Sequence, residues 1–111
     1  ASARTLDSLV AELDIRRIDL VKLDVDGHEL AVLKGATKML SKFRPEIVME
    51  LAPHVHTTGE YGSFQDLVNF ILNAGYTFKD MHSGKILSKD SSVLANSIPH
   101  GASINVLLVA A

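Results

Sequence analysis

The apolar positions of this chain follow two rhythms, one helical and one extended. Leu6, Leu9, Val10 and Leu13 recur on one helical face, and Thr5 stands where the first turn needs a cap. Ile18 to Asp24 then reads as a strand, with Ile18, Leu20, Val21 and Leu23 apolar and Asp24 closing it. So nearly continuous an apolar run predicts a strand covered on both faces, as in a parallel sheet. A second helix is predicted from Gly27 to Leu40. Leu30, Leu33, Ala36, Thr37 and Leu40 share a stripe that Val32 and Met39 broaden. Gly35 inside it lowers helix propensity unless close packing uses the missing side chain.

Pro45 marks the next boundary, and Glu46 to Leu51 reads as another buried strand. Ala52 to Gly62 is a loop, broken by Pro53, Gly59 and Gly62. Ser63 is placed to cap a third helix with Asp66 in its first turn. Phe64, Leu67, Val68, Ile71 and Leu72 form its apolar stripe, and Gly75 ends it. Tyr76 to Asp80 alternates as a strand does. The polar stretch Ser83 to Gly101 has little periodicity, and Ile104 to Val109 is the last strand. Strands separated by helices predict an α/β fold, with a mostly parallel sheet and helices on both faces. The last two strands have no predicted helix between them, so the C-terminal strand is expected to be antiparallel.

With 111 residues, 47% of them hydrophobic and 22% charged, the chain reads as an ordinary globular sequence, one domain's worth at most, with a modest core. The net charge of -2 comes from interspersed signs, so no basic stripe points to nucleic acid. The absence of cysteine excludes disulfides, thiolate metal sites and a cysteine nucleophile, and fits a cytoplasmic location. No apolar run reaches membrane-spanning length. Ala1 to Arg4 lack the pattern of a signal peptide and read as a point where a longer chain was cut.

Candidate chemistry gathers at Asp24-Val25-Asp26-Gly27, where a strand gives way to a helix. In open α/β sheets ligands collect at the carboxyl ends of strands. Glu50 ends the next strand in the same way. Two such carboxylates can share a crevice, orient a hydroxyl, accept its proton or hold a metal ion. Asp26 and Glu29 also have the spacing of a capping box, with Gly27 easing the turn. His28, His54 and His56 could add nitrogen ligands to Asp24, Asp26 and Glu50. The alternate histidines His54 and His56 fall in a loop and are expected to be solvated, so no metal is expected. His82 and His100 read as surface residues. Tyr61 and Phe64 are candidate pocket residues, although Phe64 is more simply core.

Several of these segments together resemble the FkbM family of S-adenosylmethionine-dependent methyltransferases. They are Thr5-Leu6-Asp7-Ser8-Leu9, Ile18 through Glu29 with Lys22-Leu23-Asp24-Val25-Asp26-Gly27-His28-Glu29 at its centre, and Val32-Leu33-Lys34-Gly35-Ala36. Arg44-Pro45, Met49-Glu50-Leu51, Gly75-Tyr76 and Asn105 to Val109 continue the series. The family often has Glu where this chain has Asp26. The resemblance implies part of a class I methyltransferase (Rossmann-like) sheet, a methyl donor in S-adenosylmethionine, and O-methylation of a hydroxyl on a sugar or natural product. It implies catalytic roles for Asp24 and Glu50, cofactor contact at Asp24, and acceptor contacts at Asp26, His28 and His54. The glycine-rich turn and ribose-binding acid of such enzymes are expected upstream, which makes this the C-terminal portion of the domain. The Ile18–Asp24 strand would then have an open edge, through which homo-oligomers are expected.

Two other readings compete. Val21 to Gly27 also resembles the nucleophile motif of haloacid-dehalogenase-type phosphatases, with Asp24 as nucleophile, Asp26 as acid and base, and magnesium nearby. His28 departs from that motif, and no paired-aspartate motif follows it. A truncated, non-catalytic binding or assembly domain is the third reading.

Overall fold

A computed structural model describes residues 4–56 and 62–111. In chain order the elements are α1 (Leu6–Glu12), β1 (Leu20–Leu23), α2 (Glu29–Lys34), α3 (Thr37–Phe43), β2 (Glu46–Leu51), a 3-10 turn (Pro53–His56), α4 (Phe64–Asn73), β3 (Tyr76–Asp80), α5 (Ser91–Ser97) and β4 (Ile104–Ala110). The strands form one sheet in the order β1-β2-β4-β3. β1 and β2 pair in parallel, and β4 runs antiparallel to both of its neighbours. Thus β1, β2 and β3 share a direction, and the last strand is reversed between β2 and β3. The mixed α/β sheet agrees with the sequence pattern, but the reversal of the last strand does not follow from a missing helix. A helix, α5, does intervene between β3 and β4.

The strands sort their side chains by face. In β2, Ile47, Met49 and Leu51 are buried, while Glu46 and Glu50 are exposed. Register sets Ile47 beside Leu108 and Met49 beside Val106, with Phe78 beside Leu108 on the far side. Leu30, Leu33, Met39, Leu40, Leu67, Val68 and Ile71 of the helices join the same core. Burial on both faces is not what β1 shows. Leu23 is its only buried residue, and Leu20 is 59% exposed. β1 is the outermost strand, hydrogen-bonded to β2 alone among the described strands, so it lacks the cover an inner strand receives. It is also shorter than its apolar run, with Ile18 outside the ladder.

The single helix expected from Gly27 to Leu40 is two helices, and α1 is the cause. The Asp7 N–H donates to the Gly35 carbonyl at 2.9 Å. The Asp7 carboxylate accepts from the N–H groups of Lys38 at 3.0 Å and Met39 at 2.8 Å. These are first-turn donors of α3, which no intrahelical acceptor can satisfy, so a carboxylate distant in sequence caps the helix. A Cβ on Gly35 would stand 3.1 Å from the Thr5 side chain. Gly35 is therefore the point of close approach that lets α1 enter the break.

At the opposite end of the core, Arg44 closes α3 in the left-handed conformation (φ 49°). Its guanidinium donates to the carbonyls of Ala74 at 2.6 Å and Gly75 at 3.0 Å, satisfying the end of α4. It also lies over the Tyr76 ring, 4.9 Å from the centroid. The Tyr76 hydroxyl donates to the Pro45 carbonyl at 2.7 Å. Burial pushes the Tyr76 phenol above its ordinary pKa, against the opposing charge of Arg44. The start of α4 is as the sequence suggests: Ser63 and Asp66 form a reciprocal capping box.

Candidate active site at the ends of β1 and β2

The register of the sheet brings several polar positions to one rim. Leu23 pairs with Met49, so the next residues along these parallel strands are Asp24 and Glu50. Glu50 is in register with Asn105 near the start of β4, and Asp80 at the end of β3 is in register with Val106. Between the ends of β1 and β2 lies a crevice of about 220 Å³. Asp24, Asp26, Glu29, Glu50 and His54 supply its polar wall, and Leu23, Ala52 and Val55 are among its apolar residues.

The turn out of β1 shapes this crevice. Asp26 (φ 45°) and Gly27 (φ 96°) are successive left-handed residues. Aspartate tolerates that region better than most side chains, and glycine enters it freely. The turn explains why the expected capping box does not form as drawn. An N-cap residue has extended backbone, which Asp26 lacks. α2 begins instead at Glu29, with His28 in the N-cap position and making no side-chain cap bond. Glu29 does reach back, but its Oε1 accepts from the Gly27 N–H at 3.3 Å. The cap explanation for Asp26 therefore falls away, leaving an exposed carboxylate on the crevice wall.

Glu29 is the residue that sequence reasoning placed only in a cap. Its side chain is buried, and Oε2 has no hydrogen-bond partner among the described residues. The i, i+3 spacing suggests a cap and gives no sign of the second oxygen, because a cap uses one oxygen and leaves the other open. His28 is brought elsewhere. It is exposed and lines a larger groove of about 770 Å³ beside β1, with Val21, Lys22 and Val32. Asp24 lines both the groove and the crevice.

His56 corrects the expectation of solvated loop histidines. It is buried at the end of the 3-10 turn, its ring 6.1 Å from that of Phe64. Phe64 is buried in the core. Tyr61 and Gly59 lie outside the described residues. Among the described residues there is no group of three or more His, Cys, Asp or Glu side chains able to hold a metal ion. Nor is any described helix long and apolar enough to cross a membrane.

In comparison with known families, the chain matches the methyltransferase FkbM domain over residues 1–78. No curated protein and no solved structure matches the chain. The matched region contains β1, the β1–α2 turn, β2, α4 and most of β3, so it includes every candidate residue of the crevice. A match over most of the 111 residues places the chain in the methyltransferase FkbM domain family.

Proposed function

We propose that this chain is the C-terminal portion of a class I domain that transfers methyl from S-adenosylmethionine to a hydroxyl of a saccharide or related small molecule. The observation that carries the reading is the position of Asp24, which lines both the groove beside β1 and the crevice between β1 and β2. A group shared by two cavities can face two reactants. The groove has the size of an ordinary ligand pocket, and Val21, Val25 and Val32 give it apolar lining. Those residues fit the apolar part of a nucleoside-bearing donor, and Asp24 fits a neighbouring positive charge. When bound, S-adenosylmethionine supplies an electrophilic methyl group on a sulfonium. The chain's own contribution is to orient the acceptor hydroxyl and receive its proton. Asp24 is the acceptor for that proton, and Glu50 holds the hydroxyl from the adjacent strand end. Asp26 and His54 complete the acceptor's surroundings on the crevice wall.

Calorimetry with S-adenosylmethionine, followed by a radiolabelled methyl-transfer assay over a panel of hydroxylated acceptors, tests the reading. Saturable cofactor binding and label in an ether-linked product are expected. Protein that contains this sequence within its complete domain and binds no S-adenosylmethionine would defeat it.

A further inference from the structure

Among the described residues, one oxygen of Glu29 has no hydrogen-bond partner. Its Oε1 secures the β1–α2 turn through the Gly27 N–H, while Oε2 is buried without a partner among the described residues. The side chain is only 6% exposed and lines the crevice. A buried carboxylate oxygen without a donor is costly, and binding a donor relieves that cost. The surrounding charge narrows the kind of donor. Asp24, Asp26 and Glu50 line the same crevice, and none of the four carboxylates has an ion pair among the described residues. Like charges lining one cleft reinforce each other's field and attract a cation. A hydroxyl could satisfy Oε2 but would bring no charge to meet that field. An ammonium group brings three donors and a positive charge.

We propose that Glu29 is a ligand-binding residue and that the crevice takes an ammonium group. The group belongs either to an amine-bearing acceptor or to the amino-acid end of the methyl donor. This rests on the proposed function for the identity of the two reactants; the recognition chemistry itself comes from the four carboxylates. Oε1 keeps the turn in place while Oε2 accepts from the ammonium, so one side chain both shapes the site and reads its ligand.

The test is NMR on protein carrying ¹³C-carboxyl glutamate and ¹⁵N amides. The probes are D-glucosamine, methyl α-D-glucopyranoside and S-adenosylmethionine at matched ionic strength. An ammonium-bearing probe should shift both the Glu29 carboxyl and the Gly27 amide, and the neutral glycoside should shift neither. A response to glucosamine assigns the group to the acceptor, and a response to S-adenosylmethionine alone assigns it to the donor. Glu29→Gln keeps an oxygen for the Gly27 N–H but turns the other position into a donor, so it should weaken binding about tenfold or more. If that variant does not fold, Asp26→Asn should weaken binding by a smaller factor. Silence from both ammonium probes would overturn the inference, as would an equal response to the glycoside or unchanged affinity in a folded Glu29→Gln. Methyl transfer observed without any ammonium response would defeat this inference alone. An ammonium response with no methyl transfer by protein carrying the complete domain would leave it standing and defeat the proposed function.

Discussion

β1 and β3 are both outer strands, yet their free edges are treated differently. Beyond β3 the chain turns back on itself. The Leu87 N–H donates to the Phe78 carbonyl and the Asp80 N–H to the Lys85 carbonyl, each at 2.8 Å. Lys79 and Ile86 form a bridge. The Asp80 carboxylate fastens the turn by accepting from the His82 N–H at 3.0 Å and the Ser83 hydroxyl at 2.9 Å. The outer edge of β1 has no strand partner among the described residues, and Leu20 stands largely in solvent. The closed side of the sheet packs the core; the open side borders the candidate site. An unpaired apolar edge is a place where another strand can add, so β1 is where this fold is open to association.

The largest expected effect lies on the closed side. Phe78 is 1% exposed, so Phe78→Ala should cost about 3–5 kcal/mol in denaturant unfolding. Leu20→Ala on the open side should cost less than about 0.5 kcal/mol. Similar values for the two would erase the contrast. Next is Arg44→Ala, which leaves the Ala74 and Gly75 carbonyls without their donor and uncovers Tyr76. A loss of about 1–3 kcal/mol is expected, read as a lowered Tm. An unchanged Tm would show that water replaces the guanidinium at no cost. A smaller effect concerns association. We expect the isolated chain to self-associate through β1, and Leu20→Lys to shift it toward monomer. Light scattering that shows a stable wild-type monomer at high concentration would remove that expectation.

The smallest effect is a local pH response. Hydrogen bonds from the His82 N–H and then the Ser83 hydroxyl hold the Asp80 pKa below its ordinary 3.8. A lowered folded pKa stabilises the turn at pH above about 4, and that contribution is lost as pH falls through the folded value. The ¹³C shift of the Asp80 carboxyl should therefore titrate with a midpoint below its ordinary 3.8. Movement centred well above pH 4 would mean that the turn is held otherwise.

Much of this fold is legible where local signals and burial agree. β2 and β3 lie where their apolar patterns put them, and Ser63 with Asp66 marks the start of α4. The misses have nonlocal or weak causes. The break between α2 and α3 depends on Asp7, whose contacts to Lys38 and Met39 no helical period encodes. α5 is short and buries only Leu94, so it has almost no stripe to detect. Its one readable sign was Asp90, which accepts from the N–H groups of Ser92 and Val93. At the site, strand-end position marked Asp24 and Glu50 correctly as neighbours. The spacing of Asp26 and Glu29 mimics a cap, and only the left-handed backbone of Asp26 separates that case from an open carboxylate on the crevice wall.

The most direct measurement compares Asp24→Asn with Asp26→Asn in methyl transfer by an active protein carrying this sequence. Both side chains are exposed, and asparagine tolerates the left-handed backbone at position 26, so neither change should disturb the fold. If Asp24 faces both reactants and takes the proton, Asp24→Asn lowers kcat/KM by about 100-fold or more, and Asp26→Asn by less than about tenfold. Wild-type activity in Asp24→Asn would remove Asp24 from the site.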